Sequence, residues 1–153
     1  MNTRRVILVI LVITLTCIVR AHARDDSAKA DQAKLQGEWT MVSGEQGGQP
    51  IPDAMLKTGT RVCKDDQVTV NVGGMLIMKA KFTLDPTKTP KTIDYQVTEG
   101  PNAGKTQLGI YELADDGTAK FCFAAPGKDR PDAFETKPAD GRTLSVWKKQ
   151  PPK

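Results

Sequence analysis

The chain has 153 residues, with 22 basic and 18 acidic side chains and a formal charge of +4. Three of the basic residues, Arg4, Arg5 and Arg20, fall in an N-terminal segment with the pattern of an export signal, so 19 basic residues remain against 18 acidic ones, a formal charge of +1. This length favours one domain, and because the charges nearly balance and are scattered, the high overall pI does not indicate binding to nucleic acid or anionic membranes.

Residues 1–23 are predicted to be a secretory signal peptide. Arg4 and Arg5 precede an apolar run of 14 residues from Val6 to Val19, and Ala21-His22-Ala23 forms a small-x-small cleavage site. The run is shorter than the roughly 20 residues that span a bilayer, although an uncleaved N-terminal anchor is the alternative. We therefore expect a protein that is secreted, or held in the periplasm or cell envelope, with no membrane span after cleavage.

Residues 24–34 are polar and alanine-rich, and they form either a flexible leader or one short helix. From Leu35 onward, apolar residues recur at every second position, which predicts strands with one buried face. Within this region, Asp53 is the predicted N-cap of one helical turn and Gly59 its stop. The predicted strands cover residues 36–44, 60–64, 67–73, 75–84, 91–98, 105–114, 118–125, 132–136 and 142–149.

The joints between these strands have the composition of tight turns. Asp65-Asp66, Gly73-Gly74 and Asp115-Asp116-Gly117 supply residues that tolerate positive φ. Consecutive strands with short joints pair antiparallel with their neighbours. Residues 35–150 are therefore predicted to form an all-β domain, an antiparallel up-and-down barrel of eight or nine strands with a short helix near the N-terminus, with a sandwich as the alternative.

The stretch "EGPNAGKT", residues 99–106, resembles a phosphate-binding loop only at its end. Gly104-Lys105-Thr106 matches the tail of the motif, but Glu99 stands where the first glycine is required. The residues that follow, "QLGIYEL", have a strand pattern, whereas a phosphate loop opens a helix whose N-terminal amides hold the anion. We interpret the stretch as a hairpin turn from Gly100 to Gly104.

The sequence offers little material for catalysis. The one histidine, His22, lies in the predicted signal, which excludes Ser-His-Asp and Cys-His pairs and histidine-bound metals from the mature chain. The paired acids Asp65-Asp66 and Asp115-Asp116 fall at hairpin tips, where turn formation explains them. The sequence predicts a protein that is not an enzyme, with no catalytic residues, no metal site and no cofactor.

Two cysteines remain after export, Cys63 and Cys122. An exported protein with an even cysteine count can form a disulfide, and the alternative is two separate buried thiols. The sequence does not decide between them, because it does not show whether the two Cβ atoms meet.

Several motifs resemble a known family. Gly37-x-Trp39 has the pattern found at the start of the first strand in lipocalins, and the segments "FTLDPTKTPKTIDYQVTEGPNAGKTQLGIYEL" (82–113), "FCFAAPGKDRPDAF" (121–134) and "TLSVWKK" (143–149) extend the likeness. Together they resemble the uncharacterised lipocalin-like domain family found mainly in planctomycete bacteria. The resemblance implies a secreted or envelope-associated lipocalin-like barrel from Leu35 to about Lys149. It implies no activity and no disulfide.

Two non-enzymatic functions stay open at this stage, beside a third hypothesis of an unusual hydrolase or isomerase that uses the carboxylates and basic groups of Asp85, Lys88, Asp94 and Arg130. An eight-stranded barrel either fills with side chains or holds one small ligand, so the first is binding of a small apolar or amphipathic molecule in the lumen. The second is a non-enzymatic structural or interaction domain at the cell envelope, whose protein partner the sequence does not identify. The candidate ligand-binding residues are Trp39, Phe82, Tyr95, Tyr111, Phe121, Phe123, Lys88 and Lys91.

Overall fold

A computed structural model describes residues 25–152. The predicted signal, residues 1–23, and Arg24 lie outside the described residues. Helix α1 covers residues 25–35 and helix α2 covers Asp53–Leu56. The strands are β1 Gly37–Gln46, β2 Gln49–Pro50, β3 Thr60–Lys64, β4 Gln67–Val72, β5 Met75–Asp85, β6 Lys91–Glu99, β7 Thr106–Leu113, β8 Thr118–Phe123 and β9 Thr143–Lys149.

The strands form one antiparallel sheet that closes on itself, as the sequence predicts. The spatial order follows the chain from β3 to β9, and β1 pairs with β3 on one edge and with β9 on the other. Eight strands therefore make a closed barrel, and β2 extends β1 as a short hairpin. The register of β1 against β9 shifts between Met41 and Ser43, a β-bulge that bends the strand around the barrel.

The two ends of the barrel differ. At one end, here called the helix end, α1 lies beside the turns at 65–66, 86–90 and 114–117. At the opposite end, here called the mouth, lie α2 and the connections 73–74, 100–105 and 124–142. Up-and-down connection places every second loop at the same end, so this division follows directly from the strand order.

Helix α1 caps the helix end through both apolar and polar contacts. Leu35 is fully buried in the core cluster, and its carbonyl oxygen accepts a hydrogen bond of 2.9 Å from the Trp39 indole. The Lys149 ammonium donates to the carbonyl oxygen of Lys34 at 2.7 Å and lies 5.5 Å from the centroid of a Trp39 ring. The segment 24–34, predicted as a flexible leader or a helix, is thus helical from residue 25.

The structure corrects two of the predicted elements and confirms the turn at 100–104. Residues 132–136 form no strand; they belong to the connection 124–142, which packs on the outer wall with Pro131 fully buried. Pro52, not Asp53, is the N-cap of α2, which ends at Leu56, before Gly59. The stretch 100–104 is a turn and β7 follows it as a strand, as predicted.

The disulfide considered for Cys63 and Cys122 does not form, and both residues are buried free thiols. Cys63 lies on β3 in the core cluster inside the barrel. Cys122 lies on β8 and contacts the carbonyl oxygen of Glu135, in the connection that covers the outer wall, with its sulfur at 3.6 Å. The two side chains point to opposite faces of strands that are not neighbours in the sheet.

Removing the apolar contact of α1 tests its role as a cap. We expect Leu35→Ala to lower the free energy of unfolding by about 2–5 kcal/mol, because it leaves a cavity at a fully buried site. The neighbouring exposed residue supplies the control, since Lys34→Ala removes no buried surface and is expected to change stability by no more than about 0.5 kcal/mol. Urea unfolding followed by circular dichroism measures both, and equal effects would contradict the capping role.

Candidate ligand site

The interior of the barrel is lined mainly by apolar and aromatic side chains. Alternation along each strand turns one set of residues inward, and this set forms a continuous core. Its buried members are Leu35, Trp39, Cys63, Val68, Val70, Ala80, Phe82, Leu84, Ile93, Tyr95, Val97, Tyr111, Ala119, Phe121 and Trp147. A charged side chain among them is an exception that requires an explanation.

Arg61 is that exception. It lies on β3 opposite Trp39 of β1 and Val70 of β4, and only 2% of its surface is exposed. In the strand Thr60–Lys64, the second and fourth residues are buried and the others exposed, so Arg61 points inward together with Cys63. The period of two in an otherwise ordinary strand therefore places a guanidinium inside the barrel.

The guanidinium of Arg61 contacts aromatic rings but leaves donors unused. Its central carbon lies 4.0 Å from the centroid of the Phe121 ring and 5.9 Å from that of Tyr95. Two of its nitrogens, Nε and Nη2, are buried with no hydrogen-bond partner within residues 25–152. The hydroxyl of Tyr95 is likewise buried and has no partner among these residues. Three buried polar atoms thus remain unsatisfied in one region of the lumen.

The electrostatics keep Arg61 charged and Tyr95 neutral. Burial lowers the pKa of Arg61, but interaction with Tyr95 and Cys63 outweighs it and the pKa lies above its usual value. Burial raises the pKa of Tyr95 to about 12, although the positive charge of Arg61 acts in the opposite direction. At neutral pH the lumen therefore holds one positive charge next to one protonated phenol, and both are hydrogen-bond donors.

The mouth lies beyond this pair of residues and has an apolar rim. Phe123 is half-buried, with its ring centroid 4.2 Å from that of Tyr95, and Met41 and Met78 are partly buried against the core. Several large apolar side chains in the mouth half of the barrel are exposed to solvent: Val42, Met55, Met75, Leu76 and Ile77. Methionine side chains are flexible and adapt their packing, so this rim can yield to an entering group.

Gly109 makes room for one of these aromatic rings. It lies on β7 opposite Phe123 of β8, and a Cβ atom at this position would overlap the ring of Phe123 and come within 2.9 Å of the carbonyl oxygen of Cys122. Any side chain here would displace Phe123 from its place over Tyr95. The isolated glycine within the strand pattern of β7 thus has a packing role in the lumen.

The helix end holds a second polar cluster, and this one is satisfied internally. The carboxylate of the buried residue Asp31 accepts a hydrogen bond from the Tyr111 hydroxyl at 2.7 Å and pairs with the Lys91 ammonium at 2.7 Å. Burial, and then the hydrogen bond to Asp31, raise the pKa of Tyr111 well above its usual value. These groups hold α1 against the barrel, in contrast with the unpaired donors of Arg61.

An open groove of about 570 Å³ lies on the outer wall. Its lining includes Asp85, Lys88, Asp94 and Arg130. Arg130 pairs with Asp94 at 2.6 Å and donates to the carbonyl oxygens of Gly109 and Ile93 at 2.7 and 3.2 Å, while Asp85 accepts from Thr87 at 2.6 Å. Arg130 thus fixes the connection 124–142 to the wall, and Asp85 fixes the turn 86–90.

The candidate residues predicted from the sequence fall into three places. Tyr95, Phe121 and Phe123 lie together near Arg61 inside the barrel. Phe82 is in the core, while Trp39, Tyr111 and Lys91 lie at the helix end, where they contact α1 or its ion pair. Lys88 lines the outer groove.

Sequence reasoning missed Arg61, the residue that makes the lumen chemically distinctive. The signal was present, because residues 60–64 are predicted as a strand and Arg61 shares a face with Cys63. The neighbouring Val62 is apolar but exposed, so the short strand carries no clear apolar face from which the inward side could be read. The pairing of β3 between β1 and β4 decides which face is buried.

The comparisons with protein families and curated proteins supply no evidence for a function, which must therefore be argued from the fold and the site. The chain matches no protein-family model, and no curated protein is significantly similar to it. Within residues 25–152, no helix is long and apolar enough to cross a membrane. Over the same residues, no group of three or more His, Cys, Asp or Glu side chains is placed to hold a metal ion.

The two tyrosines of the chain give a test of the buried polar groups. Because the pKa values of Tyr95 and Tyr111 are both raised, we expect no tyrosinate absorbance near pH 10, where a free tyrosine ionises. The unfolded chain loses these protons first, so the free energy of unfolding should fall as the pH rises from about 10 through about 12. Titration in guanidinium chloride is the control, and a native titration near pH 10 would contradict the burial of both hydroxyls.

A second test compares two arginines. Arg61→Met removes a buried charge that has no carboxylate partner among residues 25–152, and we expect the free energy of unfolding to stay constant or rise by about 1–3 kcal/mol despite the loss of the contact with Phe121. Arg130→Met removes an ion pair and two hydrogen bonds to carbonyl oxygens, so a loss of about 1–4 kcal/mol is expected. Thermal and urea unfolding measure the difference, and strong destabilisation by Arg61→Met alone would show that the charge is structural.

Proposed function

We propose that the chain is an exported, non-enzymatic binding domain of the lipocalin-like type, which takes a small apolar or amphipathic ligand into the barrel through the mouth. The observation that carries the proposal is the asymmetry of the two barrel ends. The helix end is capped by α1 and its hydrogen bonds, whereas the mouth has exposed apolar side chains above flexible, partly buried methionines. Apolar lining around an entrance is typical of small-molecule sites.

The packing of the interior limits the size of the ligand. Trp39, Tyr111 and Ile93 are all nearly completely buried, so the helix half of the lumen is occupied by protein side chains. A ligand would therefore occupy the mouth half, where Met41, Met78 and Phe123 are only partly buried. This supports a molecule with a short apolar segment rather than one that fills the whole barrel.

The filled interior also favours the second candidate, an interaction domain at the cell envelope that binds no small molecule. In that case the exposed apolar residues of the mouth would meet a protein partner. The two candidates differ in whether an isolated chain binds a short-chain amphiphile in solution.

Narrowing the mouth tests the proposal. Calorimetric titration with decanol, decanoate and Nile red is expected to give saturable binding at one site, and Met78→Trp should weaken it by about tenfold or more because the indole occupies the entrance. The control is Val62→Trp, on the outer face of β3, which should leave binding unchanged. Thermal unfolding checks that both variants fold. Absence of binding by the unmodified protein would overturn the proposal in favour of the interaction domain.

A further inference from the structure

Resting on the proposed function, we infer that Arg61 and Tyr95 form an anion-binding site inside the barrel and that the ligand is an amphipathic monoanion, a carboxylate attached to an apolar chain. The inference begins from the three unsatisfied polar atoms, Arg61 Nε, Arg61 Nη2 and the Tyr95 hydroxyl. None of the candidate residues found from the sequence supplies a charge at this position. At the helix end Lys91 has Asp31 as its counter-ion, and in the outer groove Arg130 has Asp94.

Burying the positive charge of Arg61 has a cost in free energy. A guanidinium stays protonated in proteins, so Arg61 cannot lower its cost by releasing a proton as a buried lysine can. The ring of Phe121 provides a favourable face for the cation, but a cation–π contact does not supply the negative charge that water would have compensated. A buried cation without a counter-ion among residues 25–152 is therefore most simply explained by an anion that enters with the ligand.

The geometry of the two nitrogens without partners in the described residues indicates the shape of the group that they would bind. Nε and Nη2 lie on the same edge of the planar guanidinium, and their two N–H bonds are nearly parallel. This edge matches the two oxygens of a carboxylate, which accept one hydrogen bond each in the bidentate geometry. Since the phenol of Tyr95 remains protonated at neutral pH, it offers a third donor to the same group.

The number of positive charges in the lumen indicates the charge of the ligand. The lumen supplies one positive charge at this level, because the Lys91 ammonium at the helix end is already paired with Asp31. A monoanion would be neutralised, whereas a dianion would leave one negative charge buried among aromatic rings. The site therefore favours a carboxylate over a phosphate monoester.

The packing around Arg61 indicates the orientation of the ligand. Trp39, Phe82 and Tyr111 are buried around Arg61 and toward the helix end, so protein side chains occupy that part of the lumen. The chain of the ligand must then extend toward the mouth, past Phe123, Met41 and Met78. Because Arg61 Nε and Nη2 are shut off from solvent, entry requires these side chains to move, and the methionines at the rim can do so at low cost.

The test uses three ligands that share one chain and differ only in the head group: decanoate, decanol and decylammonium, each below its critical micelle concentration. By isothermal titration calorimetry at neutral pH, decanoate is expected to bind about tenfold or more tightly than decanol, because hydrogen bonds to a charged group are added, and decylammonium more weakly than either. Equal affinity for decanoate and decanol would overturn the inference while leaving the proposed function intact. Binding of none of the three would overturn both.

Three variants locate the effect. Arg61→Met should bring the affinity for decanoate down to that for decanol, while the affinity for decanol stays within about threefold, because only the polar contacts are lost. Arg61→Lys keeps the charge without the bidentate edge, and an intermediate loss is expected. Tyr95→Phe removes one hydroxyl and keeps the ring, so it should reduce the affinity for decanoate about threefold to tenfold. This variant tests the anion site even if the changes at Arg61 impair folding. Unchanged affinity for decanoate in Arg61→Met or in Tyr95→Phe would overturn the inference.

Discussion

Strand β1 hydrogen-bonds along both of its edges, and the closed barrel depends on this double pairing. Its first half pairs with β3 through Gly37, Glu38, Trp39 and Thr40, and its length from Trp39 to Gln46 pairs with β9. The bulge near Met41 allows one strand to serve both neighbours, because it bends the chain and increases its twist. Without this closure β3 and β9 would each present an open edge, and the lumen would have no wall on that side.

Closure also determines what the interior can contain. In a barrel of eight strands the inward residues nearly fill the lumen, so a charged residue there is surrounded by side chains rather than by solvent. Arg61 is placed in such a position, against Phe121 and Tyr95, with two nitrogens unsatisfied. By contrast, Arg130 on the outer wall finds three oxygen partners. A residue of the same type is structural at one place, whereas at the other it has no counter-ion within residues 25–152, which is the basis of the inferred anion site.

The fold could be predicted from the sequence to a large extent. Alternating segments such as Ile93-Tyr95-Val97 and the glycine- and aspartate-rich joints predict an antiparallel meander, and the boundaries of most strands agree with those observed to within one or two residues. The predicted strand 132–136 was wrong: Phe134 is only half-buried on the outer wall, and these residues lie in the connection 124–142 rather than in the sheet. The sequence did not decide whether Cys63 and Cys122 form a disulfide, because this depends on the face of the sheet that each side chain occupies.

The candidate site could be predicted only in part. Aromatic residues that alternate with polar ones are expected to point inward, which identified Tyr95, Phe121 and Phe123 near the site and also Trp39 and Tyr111, whose polar atoms bond to α1 at the helix end. Lys88 and Lys91 were grouped by their closeness in sequence, yet the first lies outside the barrel and the second is bound to Asp31 of α1. The sequence by itself determined the class of the fold, the order of the strands and the set of buried aromatic residues, because these follow from local periodicity and turn composition. Only the tertiary structure decided that Arg61 lies inside, that its Nε and Nη2 lack partners in the described part of the chain and that Tyr95 lies beside it, because these depend on which strands pair and on which face closure buries.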